Sequence, residues 1–193
     1  MRIAIIGKGH VGTALGIGLK RSGHEVRYGH RDSKEPVQDA AKWGEAIILA
    51  IPHDAAAETA KEIGSTADGK TVVDVINALT PSMELATTSN TSNAEELQKM
   101  LQKAHVVKAF NTVFAQNQST GRLGKDRLSA FIAGDDAKAK QIVIKLASDI
   151  GFEPVDAGPL KSARYLEPMA IFIIQLGYRL KMGTKIGYKL VKA

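Results

Sequence analysis

Ile3-Ala4-Ile5-Ile6-Gly7-Lys8-Gly9-His10-Val11-Gly12 is the stretch that decides how this chain folds. A short apolar strand runs straight into a Gly-x-Gly-x-x-Gly turn, and an apolar-patterned helix follows to about residue 21. Each glycine answers a physical need of a dinucleotide site. Gly7 allows the sharp turn off the strand. Gly9 carries no side chain, so a pyrophosphate can approach the backbone. Gly12 lets the helix pack close to the sheet. The amides at the helix start then face the anion, aided by the helix dipole. Glycine-rich turns are common. This one is specific because it follows a strand and opens a helix.

Outward from that turn, strands and helices alternate at βαβ spacing. Strand patterns cover residues 2–6, 25–28, 46–51, 71–75, 105–109, 130–133 and 153–155. Several are continuous apolar or β-branched runs, as parallel strands buried on both faces require. Helix patterns cover 11–21, 55–63, 94–102, 137–149 and a C-terminal region from about 162 to 180. Asp135 or Asp136 is available to cap the fourth of these. Residues 86–93, rich in Thr, Ser and Asn, read as a surface loop. The fold class is α/β, a doubly wound Rossmann-type, mostly parallel sheet with a C-terminal helical segment. We expect a dinucleotide-binding domain over residues 1–160 and a helical segment over 161–193.

Composition sets bounds. The 193 residues suffice for one sizeable core. With no cysteine, disulfides and thiolate metal sites are excluded. No metal-ligating spacing stands out, and no metal is expected. There is no signal-peptide pattern, and no apolar run approaches the roughly 20 residues a membrane helix needs. A cytoplasmic protein with no membrane partner is expected. The formal charge is +6, but only 5% of residues are aromatic and they are not interleaved with the basic ones. Nucleic acid is therefore not expected. The excess charge reads either as a solvated basic face or as attraction for a polyanionic small molecule.

The end of the second strand chooses between dinucleotides. NAD sites usually carry Asp or Glu there to accept from the ribose 2′-hydroxyl. Here the run is Val26-Arg27-Tyr28-Gly29-His30-Arg31-Asp32-Ser33-Lys34. A 2′-phosphate would meet His30, Arg31 and Lys34, and guanidinium binds phosphate through paired, charge-assisted hydrogen bonds. NADP(H) is the favoured cofactor, and Asp32 keeps NAD open. The third strand pattern leads into Ala50-Ile51-Pro52-His53 and the fourth into Asn77. These residues should line the path from adenosine to nicotinamide, beyond the carboxyl ends of the strands.

Catalytic constellations are sparse. No Ser-His-Asp spacing, HExxH or paired carboxylates stand out, so no catalytic residue is assigned. His24 reads as a turn residue and His105 as a strand start. His10, His30 and His53 lie nearer the cofactor path, in binding or packing roles. Reduction of a carbonyl usually needs a nearby proton donor. Hydride exchange between a nicotinamide and a flavin-like ring needs less, because the protein mainly aligns two planar cofactors. The poverty of acids points to transfer between cofactors.

Two further motifs are Val106-Val107-Lys108-Ala109-Phe110-Asn111-Thr112-Val113 and Asp156-Ala157-Gly158-Pro159-Leu160-Lys161-Ser162-Ala163-Arg164. They resemble the coenzyme F420-dependent NADP oxidoreductase family and the cytosolic domains of the STEAP metalloreductases. Met182-Gly183-Thr184-Lys185-Ile186-Gly187-Tyr188-Lys189-Leu190 resembles the end of the F420 enzymes. The resemblance implies NADPH in the crevice with a deazaflavin ring stacked over the nicotinamide. By motif, Lys8 to Val11 would hold the pyrophosphate, with His30, Arg31 and Lys34 on the 2′-phosphate. Asn111, Thr112 and Val113 would border the ring pocket, and Arg164 would approach the second cofactor. The basic surface would suit that cofactor's phosphate and glutamate tail.

The chain departs from the F420 enzymes at Asn111, where they often carry His, and at Pro168 and Ala170. It shares Asn111 with the flavin-using branch. The implied activity is hydride transfer between NADP(H) and F420. The alternatives are NADPH-dependent reduction of FMN, FAD or ferric chelates, and a non-catalytic redox sensor. Asn111 could instead cap a strand end, and Arg164 could pair with Glu167 one helical turn away. The apolar run 169–176 is expected in the core or in a homodimer interface.

Overall fold

In the computed structural model, residues 1–30, 34–80, 82–88 and 90–192 are described. The opening run forms β1 (Arg2–Ile6), with β2 (Glu25–Gly29) on one side and β3 (Ala46–Leu49) on the other, all parallel. β4 (Thr71–Asp74) and β5 (His105–Lys108) extend the parallel set. β6 (Arg122–Leu123) and β7 (Asp126–Arg127) make a separate small hairpin. β8 (Ser129–Gly134) pairs antiparallel with β5, and β9 (Glu153–Asp156) runs parallel to β8. The seven-stranded order is β2-β1-β3-β4-β5-β8-β9.

The helices are α1 (His10–Arg21), α2 (Val37–Trp43), α3 (Ala56–Ile63), α4 (Asn93–Met100), α5 (Ala115–Gln118), α6 (Ala137–Ile150) and α7 (Ala163–Ile174). Alternation along β1 explains why both faces are covered. Ile3 and Ile5 pack with Leu15 and Leu19 of α1 and Val143 and Leu146 of α6. Ala4 and Ile6 pack on the other face with Val37 and Ala40 of α2, Ala60 and Ile63 of α3, and Leu97 of α4. A strand with no polar residue on either side has to be sandwiched in this way. The fold is the Rossmann-like α/β arrangement expected, with a C-terminal helix.

Several details differ from the sequence reading. α2 is a helix where no helix was expected. It is seven residues long, and its Val37, Ala40 and Ala41 are buried at helical spacing, which is a signal too short to stand out. The β6–β7 hairpin is likewise additional. Asp136, not Asp135, caps α6: its Oδ1 accepts from the Ala139 amide at 2.7 Å. Asp135 instead accepts from the Leu160 amide at 2.8 Å. α7 ends at Ile174 and continues as a π-turn over Gln175–Arg179.

Candidate functional site

The chain turns back across β1 between β2 and β3, so the topological switch point lies at the carboxyl ends of β1 and β3. A crevice forms there in sheets of this kind. Gly7 closes it with φ +104°, and a Cβ on Gly7 would sit 2.2 Å from the Ala50 carbonyl oxygen. A Cβ on Gly12 would sit 2.2 Å from the Gly7 carbonyl oxygen. These two glycines are required by close backbone approach. Gly9 is different. Its φ of −77° suits any residue, and a Cβ there would meet no atom within 4 Å. Gly9 is the N-cap of α1, with no side-chain cap and no acidic residue in the first turn. A cleft of about 540 Å³ runs past Lys8, Gly9, His10 and Thr13 toward Gln116 and Tyr178. A second cleft, of about 710 Å³, is lined by Gly7, His30, Ile51 and Pro52, with Asp54 and Glu58 opposite.

At the end of β2, Lys8 and His30 meet at one carboxylate. Lys8 Nζ donates to Glu35 Oε2 at 3.0 Å, and His30 Nε2 lies 2.7 Å from the same oxygen. The Lys8 hydrogen bond, with a smaller share from His30, holds the Glu35 carboxyl below the usual carboxylate range. Arg31, expected on the same group, lies outside the described residues, as do Asp32 and Ser33. Lys34 lines a neighbouring cleft with Tyr28, Glu35 and Asp39. Glu35 was not singled out by sequence. Its spacing of five residues from His30 carried no motif.

A buried ionic cluster lies behind the crevice. Lys108, on β5, is fully buried, and so is Asp74 at the end of β4. Lys108 Nζ is 3.0 Å from Asp74 Oδ2, 3.1 Å from Glu167 Oε1 of α7 and 2.7 Å from the Ile76 carbonyl. Burial pulls the Lys108 ammonium down, and the two carboxylates together outweigh that, leaving it above its ordinary value. Glu167 also accepts the Asn93 amide at 3.1 Å and the Ala94 amide at 3.4 Å, at the N-terminus of α4. A carboxylate is favourable at that end of a helix. Asn93 Nδ2 donates to Asp74 at 2.9 Å, and Asn93 Oδ1 is 2.9 Å from His53 Nδ1. Sequence reading missed Lys108 and Glu167 as partners. A charged residue inside an apolar strand pattern was the available signal.

The turn after β5 is strained. Phe110 is fully buried yet left-handed, at φ +63°, which costs a non-glycine residue about 1–2 kcal/mol. Gln118 holds it by donating to the Phe110 carbonyl at 2.7 Å, and Phe152 lies against the ring at 5.5 Å. Asn111, Thr112 and Val113 follow, all buried. Asn111 does not cap the strand. Its Nδ2 donates to the Leu166 carbonyl of α7 at 2.8 Å, and its Oδ1 is buried without a partner among the described residues. Asn77 Oδ1, past the end of β4, is orphaned in the same way.

Arg164 is not paired with Glu167. It makes two 2.8 Å hydrogen bonds to Glu95 of α4, and these hold the Glu95 carboxyl below its usual range. Beside that pair, Thr87, Thr91, Lys161, Arg164 and Tyr165 line a cleft of about 310 Å³. His24 and His105 stand apart from the crevice, near Asp149 and Asp136 respectively.

Among the described residues no group of three or more His, Asp or Glu side chains could hold a metal. Among them, too, no helix is long and apolar enough to cross a membrane.

Comparison with known proteins adds four findings. Residues 2–78 match the family described as NADP oxidoreductase, coenzyme F420-dependent. The F420-dependent NADP reductase of Methanocaldococcus jannaschii is 31% identical over 158 residues, covering 77% of this chain and 70% of that protein. Metalloreductase STEAP3 of Rattus norvegicus is 30% identical over 188 residues, 90% of this chain. The match spans only 37% of that metalloreductase's length. A candidate F420-dependent NADP-reductase from Arthrobacter sp. FB24, known from its crystal structure, superposes with a TM-score of 0.92 at 27% identity over the whole of both chains.

Proposed function

Because this chain belongs to the coenzyme F420-dependent NADP oxidoreductase family, we propose that it moves a hydride between NADP(H) and coenzyme F420. The observation that carries the dinucleotide half is the open space at Gly9, above the uncapped first turn of α1. A pyrophosphate fits there, because unpaired amides and the helix dipole both favour an anion. Lys8, His10 and Val11 border it. Ala50, Ile51, Pro52 and His53 continue the path toward the nicotinamide. Asn77, past the end of β4, and Asn111, past the end of β5, are assigned to the nicotinamide end of that path. Bound in this crevice, NADPH supplies a hydride from its nicotinamide, and the acceptor takes it up with one proton from water.

For the second substrate, Thr112, Val113 and Arg164 are assigned to its pocket. The cleft with Thr87, Thr91 and Lys161 would take its polar, anionic portion. We assign the working form as a cytoplasmic homodimer. Tyr165 and Phe172 on α7, 73% and 57% exposed, are apolar surface available to such an interface.

A second reading, NADPH-dependent reduction of FMN, FAD or ferric chelates, is favoured by Asn111 and by the 30% identity to a metalloreductase. Purified protein is mixed with NADPH and each acceptor in turn. The expected result is loss of F420 absorbance matched by NADPH oxidation, with flavins and ferric chelates slow. Preferential turnover of a flavin or ferric chelate would replace the F420 reading with the second one. Tight NADPH binding with every acceptor inert would leave a redox sensor.

His30, Arg31 and Lys34 are assigned to the 2′-phosphate, and Glu35 then competes with that phosphate for His30 and with the pyrophosphate for Lys8. Glu35→Gln should tighten NADPH binding about two- to fivefold at low salt, the scale of an exposed ion pair. The gain should fade in high salt, where exposed charges are screened. NADH, which has the pyrophosphate but no 2′-phosphate, should gain less. Weaker NADPH binding in the variant would mean that Glu35 organises the cationic group instead of competing for it.

A further inference from the structure

The buried ionic cluster does more than hold elements together. Its consequences run outward one proton at a time. Both oxygens of Asp74 face donors: Oδ1 accepts the Ile76 amide at 2.9 Å, and Oδ2 lies 3.0 Å from the Lys108 ammonium. The ammonium beside Oδ2 and the amide on Oδ1 each call for an acceptor. Asp74 is therefore a carboxylate that can only accept. Asn93, itself 2% exposed, must then turn its NH₂ toward Asp74 Oδ2, at 2.9 Å. That leaves the Asn93 carbonyl oxygen facing His53 Nδ1 at 2.9 Å. A carbonyl oxygen can only accept, so Nδ1 must carry the hydrogen. Neutral imidazole has one N–H, and the hydrogen bond at one nitrogen settles the state of the other. Nε2 is then a bare acceptor.

We propose that the Lys108–Asp74 pair, acting through Asn93, fixes His53 as its Nδ1–H tautomer, so that Nε2 accepts a hydrogen bond from a ribose hydroxyl on the nicotinamide side of the dinucleotide. His53, part-buried, follows β3 at the carboxyl end of the sheet and sits at the edge of the crevice, whose lining includes its neighbours Pro52 and Asp54 but not His53 itself. The residues on either side of it along the proposed cofactor path are the Gly9 cradle and Asn77. A sugar hydroxyl is the donor that a dinucleotide carries between its pyrophosphate and its nicotinamide. Lys108, Asp74 and Asn93 are positioning residues in this scheme, and His53 is the contact. The ligand half of the inference rests on the NADP reading. The tautomer half does not.

The test uses the full-length, ¹⁵N-labelled protein above the titration range of histidine. His53 signals are assigned by their loss in His53→Phe. Long-range proton–nitrogen correlation should give Nδ1 the shift of a protonated nitrogen and Nε2 that of a bare one. Asn93→Leu should return His53 to the Nε2–H form that free histidine prefers. A wild-type His53 already in the Nε2–H form would overturn the tautomer assignment whether or not the variant folds. In a second arm, His53→Phe should weaken NADPH binding about tenfold, the scale of one hydrogen bond. It should leave 2′,5′-ADP, which has no nicotinamide-side ribose, bound as in wild type. Equal losses for both ligands, or no loss for either, would overturn the hydroxyl contact. Failure of the wild type to bind either ligand would overturn the NADP reading instead, and the tautomer result would stand by itself.

Discussion

Replacing Lys108 with Met is expected to lower the unfolding free energy by about 3–5 kcal/mol, the range for breaking a buried ion pair from one side. Removing the ammonium leaves Asp74 and Glu167, both almost wholly buried, without the charge that compensates them. In a domain of this size, each kcal/mol moves the melting temperature by roughly 2–4 °C, so a fall on the order of 10 °C should be seen. Lys99→Met serves as control. Lys99 pairs with Glu96 on an exposed face of α4, and its loss should cost about 0.5 kcal/mol or less.

The pH dependence has a definite sign. The Lys108 pKa is raised above 10.5 in the folded protein. A raised pKa contributes stability in full below the unfolded value and loses it only as pH climbs through the folded one. The difference contributed by Lys108 should therefore be flat across neutral pH and shrink only in strong alkali. Denaturant unfolding of both variants measures it. A loss below about 1 kcal/mol for Lys108→Met would mean that the cluster relaxes or takes up water, against the burial argument.

Gly9→Ala is expected to separate folding from binding. Its new methyl group meets no protein atom within 4 Å, and the backbone angle is ordinary. Alanine is a poorer N-cap than glycine, so stability should fall by no more than about 1 kcal/mol. The methyl does occupy the space assigned to the pyrophosphate. Pushing the phosphate off one or two amide donors should weaken NADPH by about ten- to a hundredfold. Gly7→Ala should behave differently. It combines φ +104° with a 2.2 Å contact to the Ala50 carbonyl, so folding and binding should fail together. Thermal melts beside NADPH titrations distinguish the two. Unchanged NADPH affinity in Gly9→Ala would remove the cradle from the site.

Much of this architecture was legible before any coordinates. Continuous apolar or β-branched strands at residues 3–6, 46–49 and 71–73 can be stable only between two helical layers, and the periodicity of residues 11–21 fits one of them. What escaped notice was short or nonlocal. α2 has only seven residues, which leaves periodicity little to act on. At Asn111 and Arg164 the sequence motif marked the right neighbourhood but not the partners. Arg164 had an acidic neighbour one turn along its own helix, yet it pairs with Glu95, 69 residues away.

The division between sequence and tertiary structure follows from the range of the forces involved. Strand, glycine turn and helix are local, set by side-chain size, backbone freedom and hydrophobic period, so the sequence by itself determined the dinucleotide-type fold and the place of its crevice. Ion pairs and hydrogen bonds between distant elements depend on which side chains meet once the sheet has closed. Only the tertiary structure could decide that Lys108 meets Asp74 and Glu167, that Glu35 gathers Lys8 and His30, and that His53 faces a carbonyl. In a buried setting each polar atom must find a partner, and the shape of the closed fold determines which one is within reach.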